Sequence, residues 1–451
     1  MRAMRLRTAL VTLVAVASAS LALAPLTGSP AGNRPSNASG PGSIGRIVGV
    51  VPLLASADSS GAGYSPAQIR VNYDLNALYR AGLDGKGETI GIVDVYGSPT
   101  IKADLVSFDR MFHISAPPSF TVVRPAGTVP VFNPSAPDVV SWAEETTLDV
   151  EWAHAMAPGA RIVLAETGVD EVEGTSGFSQ IVEAEKYLIG HEHVAVISQS
   201  FGATEETFPS KSSLLSLRSA FVQAQASHVT VLAGSGDSGA TNYMLNVNDY
   251  YTRRVTGWPA ADPLVTAVGG TQIDTDAAGR PTQSPRVWND KAASPLAGGG
   301  GVSSIFSRPA WQHSVAAIVG SHRGVPDISM DASCLSPADV VWSFLGSKEV
   351  SSECGTSLAT PMFAGVVAIA DQLAGHHLGL INPMLYKLGE KKATGLVDIT
   401  KGDNTVQFYE DGVRHVVVGF KARKGYDLAS GWGTVDAAQL VPELAGKPVP
   451  T

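Results

Sequence analysis

Four short apolar runs, rich in β-branched residues and bounded by glycine or polar residues, recur along the first half of the chain. They cover residues 89–94, 161–165, 194–198 and 229–233. Runs of this length and composition are typical of buried parallel strands. Helical stretches separate them, so the pattern predicts an α/β fold: a doubly wound, mostly parallel sheet flanked by helices. In such a sheet, functional loops follow the carboxyl ends of the strands.

The N-terminal region has a different pattern. Three arginines within the first seven residues precede an apolar run over residues 8–24, and a Ser-, Gly- and Pro-rich stretch follows. This order is typical of a signal peptide, here 1–24, with a retained membrane anchor as the alternative. We expect a linker or short pro-segment at 25–62 and the folded domain at 63–445. Export then predicts a secreted, extracellular protein.

Composition restricts the class of protein further. The 451 residues are 44% hydrophobic and 16% charged, which allows a large buried core in one domain. The formal net charge is −9, and the basic residues form no cluster, so a nucleic-acid partner is not expected. Beyond residues 8–24, no stretch reaches the ~18 apolar residues of a spanning helix, so we expect no stable membrane association. We expect a monomer.

The two cysteines of the chain, Cys334 and Cys354, lie close together in the sequence. In an exported protein, an even pair separated by a short loop predicts a disulfide, and two buried thiols are the alternative. A zinc site is not expected, because neither cysteine belongs to a CxxC motif and no histidine cluster completes a ligand set.

A serine just before an apolar helix is the first candidate for chemistry. Ser357 lies in Gly-Thr-Ser-x-Ala-Thr-Pro, followed by an Ala- and Gly-rich segment. At such a place, free backbone N–H groups and the helix dipole favour a developing alkoxide, although a serine there can also be a simple helix N-cap. The longer string resembles the nucleophile segment of the subtilisin and sedolisin superfamily.

A serine nucleophile needs a base, and the His-Gly-Thr motif of subtilisins is absent from this chain. In the segment 144–158, helical geometry places Glu145 and Asp149 about 40° apart on one face and His154 about 180° from Glu145. Two carboxylates four residues apart repel one another on a solvated helix face, which is the alternative interpretation. If they share one proton, Glu145 can accept the proton of Ser357 while Asp149 relays it.

A third carboxyl group lies in Gly-Asp-Ser-Gly around Asp237, directly after the run 229–233. This sequence is also a good turn on propensity alone. In the subtilisin arrangement, an amide side chain after the equivalent strand donates to the oxyanion. Asp237 replaces that donor only when it is protonated, so we expect activity in acid.

Type, order and spacing of these three motifs resemble the sedolisin, or serine-carboxyl peptidase, family over residues 63–440. The resemblance implies a subtilisin-like fold and hydrolysis of polypeptide substrates through a Ser357 acyl-enzyme. It also implies the catalytic roles proposed for the three carboxyl groups. The alternatives are a histidine-dependent subtilisin-like hydrolase and a secreted binding protein without activity.

The resemblance also implies two binding regions. A calcium-binding loop region near the C-terminus would hold one Ca²⁺ through the carboxylates of Asp398 and Asp427 and the carbonyl oxygens of Ile399, Arg423 and Gly425. Two segments would bind the peptide substrate, and they contain Ser200, Phe201, Gly202, Gly299 and Gly300.

Three departures from the family stand out. Family members often carry Trp where this chain has Phe201, and Asp94 ends an earlier strand, so the family's wider hydrogen-bond network around the carboxyl pair is not expected in the same form. The family also commonly has a large folded prodomain, for which this chain offers only about 40 residues before the domain.

Overall fold

The structure is a computed structural model that describes residues 63–246, 249–291 and 296–450. The predicted signal peptide at 1–24 and linker at 25–62 therefore lie outside the described residues. The α-helices in the described part are α1 (Pro66–Asn72), α2 (Leu75–Arg80), α3 (Ile101–Phe112), α4 (Pro137–Met156), α5 (Phe178–Tyr187), α6 (Lys211–Ser216), α7 (Ser219–Ala226), α8 (Ala316–Val319), α9 (Thr356–Ala374), α10 (Asn382–Glu390) and α11 (Ala437–Ala445).

The strands in the same part of the chain are β1 (Thr89–Val95), β2 (Phe120–Val123), β3 (Arg161–Thr167), β4 (Val196–Gln199), β5 (Ala203–Thr204), β6 (Thr230–Gly234), β7 (Gly257–Trp258), β8 (Thr266–Gln272), β9 (Arg286–Val287), β10 (Gly301–Ser307), β11 (His322–Val325), β12 (Ile328–Asp331), β13 (Ala338–Trp342), β14 (Glu349–Glu353), β15 (Leu396–Val397), β16 (Val406–Glu410), β17 (Val413–Val417) and β18 (Thr434–Val435).

Seven parallel strands form the central sheet in the order β12-β8-β6-β4-β1-β3-β2, and β9 adds an antiparallel partner to β8. The four apolar runs of the sequence correspond to β1, β3, β4 and β6. The predicted doubly wound, mostly parallel sheet flanked by helices is therefore confirmed. The remaining strands pair as small two-stranded sheets.

Side chains of the strands alternate between two cores, one on each face of the sheet. In β1, Ile90 and Ile92 join the core that contains α4 and α9, whereas Val93 and Val95 join the core that contains α5 and α7. This is the period of two expected for strands covered on both faces. Asp94 follows the Ile90 and Ile92 series, so its carboxyl group lies on the α4 side.

Helix α9 is the central helix of the fold. It packs against α4 and against β4, β6, β8 and β12. Among the described residues it is the one helix long and apolar enough to cross a membrane, and 89% of that window is buried inside the protein. A helix that is apolar on all sides and covered in this way is a core helix.

Candidate active site

Ser357 is the second residue of α9. The N-cap is Gly355 and not Ser357, so the interpretation of Ser357 as a simple cap is wrong. Gly355 has a φ of 108°, a left-handed value that favours glycine, and it turns the chain from β14 into the helix. Ser357 is only 1% exposed, at the helix end where the dipole favours negative charge.

Helix α4 carries Glu145 and Asp149, and both residues are completely buried. The hydroxyl group of Ser357 lies close enough to Glu145 to lower the pKa of its carboxyl group, although neither Glu145 oxygen has a hydrogen-bond partner among the described residues. Ser200 Oγ donates to Asp149 Oδ1 at 2.8 Å. The predicted helix is confirmed, and the solvated-face interpretation is wrong for these two residues.

The proton affinity of this carboxyl pair is set by burial and by its neighbours. Burial raises the pKa of Glu145 well above its usual value, and Asp149 raises it further. Burial and the nearby Asp94 likewise raise the pKa of Asp149, whereas the Ser200 hydroxyl lowers it. The pair can therefore share one proton at a pH at which exposed carboxyl groups are ionised.

Asp237 follows β6 directly and contacts the residue before Ser357. Its Oδ1 accepts hydrogen bonds from Thr356 N at 2.8 Å and Thr356 Oγ1 at 2.9 Å. Within the described part of the chain, Oδ2 is buried without a hydrogen-bond partner. Burial raises the pKa of Asp237 to about 7, and the bonds from Thr356 oppose this shift. In acid, a proton on Oδ2 would make this oxygen a donor.

Two residues of the site received no catalytic role from the sequence. Asp94, at the carboxyl end of β1, is completely buried and raises the pKa of both carboxyl groups on α4. The Thr356 hydroxyl accepts from Gly236 N at 3.2 Å while it donates to Asp237. The signal for Asp94 was its place at a strand end on the same edge of the sheet as Asp237.

His154, the alternative base, lies elsewhere. Its Nε2 is 3.0 Å from Asp109 Oδ1 and 3.1 Å from the Ser115 carbonyl oxygen. The imidazole is completely buried between α3 and α4. It is therefore a structural histidine, as the helix geometry predicted.

The predicted peptide-binding segments lie close to the site, but their side chains serve the core. Phe201 is 1% exposed and packs against Phe178, and Ser200 is engaged with Asp149. A side chain at Gly202 would crowd the Trp258 carbonyl oxygen. Only backbone groups of this segment remain for a peptide.

Gly299 and Gly300 are also buried. A side chain at Gly299 would collide with the Ser235 carbonyl oxygen, and one at Gly300 with that of Leu428. The close approach that these glycines allow is thus made by the protein's own backbone. Packing within the protein is enough to explain why both residues are glycine. Their contact with a substrate stays a prediction.

The residues expected to hold calcium come together at the loop 423–427. Gly425 N donates to both oxygens of Asp398, at 3.2 and 3.1 Å, and Arg423 N donates to Asp427 Oδ2 at 2.9 Å. Ile399 is completely buried beside them. Among the described residues, no group of three or more His, Cys, Asp or Glu side chains forms a metal site. Two carboxylates with backbone carbonyls are an all-oxygen set that fits a hard cation.

Cys334 and Cys354 form a disulfide with a Cα–Cα distance of 5.0 Å. The predicted bond is therefore confirmed, and the alternative of two thiols is wrong. The bond joins the segment after β12 to the residue that precedes Gly355, so it anchors the start of α9.

The chain is similar in sequence and in fold to proteins of one known family. Residues 139–398 match the family model described as the subtilase family. Kumamolisin of Bacillus sp. (strain MN-32) is 32% identical over 84% of this chain and 63% of its own length. Sedolisin of Pseudomonas sp. (strain 101) is 27% identical over 89% of this chain and 68% of its own.

A solved structure of Pseudomonas sedolisin, described as a serine-carboxyl proteinase complexed with two molecules of pseudo-iodotyrostatin, superimposes with a TM-score of 0.69 at 26% identity. It covers 86% of this chain and 99% of the sedolisin chain. The chain spans less than two thirds of kumamolisin and about half of human tripeptidyl-peptidase 1, which is 29% identical over 66% of this chain. On its sequence and its fold, the chain belongs to the subtilase family and, within it, to the sedolisins.

Proposed function

We propose that this protein is a secreted serine-type endopeptidase that hydrolyses polypeptides in acid. One observation carries the proposal: the Ser357 hydroxyl lies beside the buried Glu145 of the carboxyl pair on α4, and the preceding residue, Thr356, holds Asp237 through two hydrogen bonds. A hydroxyl, a base and an acid with a free oxygen are the three parts that acyl transfer needs.

In the first half of the reaction, Ser357 Oγ attacks the carbonyl carbon of the scissile peptide bond. Its proton passes to the carboxylate of Glu145, and the pair with Asp149 spreads the proton between two acids. When the tetrahedral intermediate collapses, the C–N bond breaks and the leaving amine takes that proton from Glu145. Water then repeats the sequence on the acyl-enzyme: it loses a proton to Glu145 and releases Ser357 Oγ, which is reprotonated.

Asp237 stabilises the negative charge of the intermediate. Its Oδ1 is fixed by Thr356, so the proton of the neutral acid lies on Oδ2, and this O–H donates to the oxyanion. Donors of this kind contribute about 3 kcal/mol to the transition state. Ionisation removes the proton, which limits activity to acid.

Calcium would bind at the C-terminal loop region through Asp398 and Asp427, together with backbone carbonyls of Ile399, Arg423 and Gly425. The ion would supply charge neutralisation and crosslinking of two loops, not chemistry at Ser357. Asp427 already fixes its loop through bonds from Ala429 N and Ser430 N at 2.9 Å.

The test is hydrolysis of an acid-denatured protein between about pH 3 and pH 7, the range in which carboxyl groups with ordinary and raised pKa values titrate. The wild type should be active in acid, and Ser357→Ala should lose at least about 10³-fold in kcat. Ser212→Ala, at an exposed serine, is the matched control.

Three results would contradict the proposal. A folded wild type without hydrolysis would favour the non-catalytic alternative. Activity that survives in Ser357→Ala would exclude this nucleophile. Activity that peaks above neutral pH and is lost in His154→Ala would favour a histidine-dependent enzyme.

A further inference from the structure

A surface recess of about 610 Å³ lies at the start of α3. Its wall comes from three parts of the chain: the segment 98–103, the end of β2 with Val122 and Arg124, and Glu166 of β3. None of the four residues proposed for catalysis lines it. The recess is therefore a separate place on the molecule.

One serine of this wall, Ser98, has a hydroxyl group without a partner. Ser98 is 5% exposed, and its Oγ forms no hydrogen bond within residues 63–246, 249–291 and 296–450. A buried hydroxyl group that stays unpaired is costly, and buried polar groups are normally satisfied by protein, water or a ligand. A ligand in the recess would supply the missing bond.

The N-terminus of α3 forms another part of the wall. The first turn of this 12-residue helix, 101–103, lines the recess. The N–H groups of a first turn lack partners further back in the helix, and the helix dipole places partial positive charge there. Asp104 does not line the recess, and accepts from Ser343 Oγ at 2.6 Å instead. This end of the helix therefore favours an anion.

Two cationic side chains line the same recess, those of Lys102 and Arg124. The Arg124 side chain is 59% exposed, and its Nε donates to Glu166 Oε2 at 2.7 Å. Its Nη groups form no hydrogen bond to another residue in the described part of the chain, so they are left for a ligand. Glu166 is 2% exposed and lies against Gly97, where any side chain would collide with its carboxyl group. Two cations and one carboxylate leave an excess of one positive charge.

We propose that this recess is a binding site for a tetrahedral oxyanion of the phosphate type. Its donors come from different parts of the fold: the Ser98 hydroxyl, the first turn of α3, and the side chains of Arg124 and Lys102. A phosphate group offers at least three acceptor oxygens, and arginine binds it through two parallel bonds. Because both cations are exposed, the group can be free phosphate or part of a larger molecule.

The test is a calorimetric titration of the full chain with inorganic phosphate near pH 6, at constant ionic strength, in the Ser357→Ala background. We expect saturable binding of one phosphate per chain. Ser98→Ala and Arg124→Gln should each weaken it at least about fivefold, because each removes a donor to a charged group. Lys86→Gln, at an exposed lysine before β1, changes the net charge equally and should leave the affinity unchanged.

A thermal readout shows whether Ser98 has a merely structural role. Ser98→Ala removes a hydroxyl group that has no partner, so its Tm without phosphate should equal or exceed that of the parent protein. Phosphate should raise the Tm of the parent protein, and should raise that of Ser98→Ala much less.

Four results would overturn the inference. They are the absence of saturable phosphate binding to the folded protein, an equal affinity in Ser98→Ala and its parent, an equal loss of affinity in Lys86→Gln, and a lower Tm of Ser98→Ala without phosphate. Because none of these measurements needs turnover, the outcome is independent of the proposed function.

A second titration identifies the source of the phosphate group. It compares a peptide that contains one phosphoserine with the same peptide that contains serine. Tighter binding of the phosphoserine peptide than of inorganic phosphate would support the site and assign its ligand to phosphorylated polypeptides. Tighter binding of inorganic phosphate would support the site and assign it to the free anion.

Discussion

The two oxygens of Asp237 are in different surroundings. Oδ1 accepts two bonds from Thr356, and Oδ2 has no protein partner among the described residues. An acid in this arrangement carries its proton on one defined atom. The direction of the donor is thus set by Thr356, the residue that precedes the proposed nucleophile.

This asymmetry predicts the behaviour of Asp237→Asn. An amide can keep its oxygen on Thr356 and place its N–H₂ where Oδ2 lies, and it does not titrate. The pKa of Asp237 is raised to about 7, so the wild type has the donor below this pH and loses it above. The alkaline limb of kcat should therefore move to higher pH in Asp237→Asn, while Asp237→Ala loses about 10²-fold or more at every pH.

Steady-state kinetics with one peptide substrate across the pH range measures both effects. If the alkaline limb of the kcat profile of Asp237→Asn coincides with that of the wild type, another group limits activity at high pH.

Much of the site was predictable at the residue scale, because its residues lie in short motifs at helix and strand ends. The helical spacing of Glu145 and Asp149 placed both on one face and left His154 on the other, as the structure has them. The network around them was not predictable. The pairing of Asp94 with Glu166 depends on the register of two strands about 70 residues apart, which no local pattern encodes.

At the scale of elements, the start of α9 depends on the hairpin of β13 and β14. The hairpin leads to Cys354, and the disulfide to Cys334 lies three residues before Ser357. Glu151 of α4 accepts from Val341 N at 2.9 Å, which attaches the hairpin to the helix that carries the carboxyl pair.

Loss of the disulfide should therefore affect both stability and activity. Closure of a loop of this length contributes about 3 kcal/mol, and the chain has only these two cysteines, so reduction acts at one place. We expect a lower Tm and a lower kcat for Cys334→Ser/Cys354→Ser, measured by calorimetry and peptide hydrolysis. The same Tm and kcat as in the wild type would show that β14 holds the start of α9 without the bond.

The C-terminal loops lead to a prediction on metal removal. If calcium binds as proposed, a chelator should lower the Tm, and Asp398→Asn should weaken calcium binding in a calorimetric titration. Asp403→Asn, on a neighbouring turn, is the control. A Tm that is independent of both calcium and chelator would argue against the site.

Elements with a strong period were predicted, and elements without one were not. Buried β-branched runs identify β1, β3, β4 and β6, whereas β13 and β14 contain mixed residues. Strand β13 is held by its contacts with α3 and α4, and β14 by its pairing with β13. Tertiary packing decided these strands, and local propensity did not.

In the described part of the chain, many acidic side chains are buried or half-buried and form no ion pair. Burial raises their pKa values, to about 6 for Asp170 and Asp339, about 7 for Asp94, Glu173, Asp237 and Glu353, and about 8 for Glu144, Glu185 and Asp371. The folded protein therefore favours the neutral form of these carboxyl groups more than the unfolded chain does. Their contribution to stability is complete below the pKa of the unfolded chain, about 4.

Stability should therefore decrease as the pH rises. Each group with a raised folded pKa loses its contribution between its unfolded and folded values, here from about pH 4 to about pH 8. We expect a maximum of Tm in acid and a fall of at least about 5 °C towards neutral pH. Calorimetry on Ser357→Ala, which cannot digest itself under the proposed mechanism, measures this. A Tm that is highest at neutral pH would contradict the raised pKa values.

The position of Ser357 on the central helix has a final consequence. Since α9 contacts five strands of the central sheet and α4, its first turn cannot loosen while the rest of the fold stays intact. Heating should thus abolish turnover and melt the interior in one step, with no inactive but otherwise native species between them. The residual activity after heating would then be proportional to the fraction of molecules that remain folded.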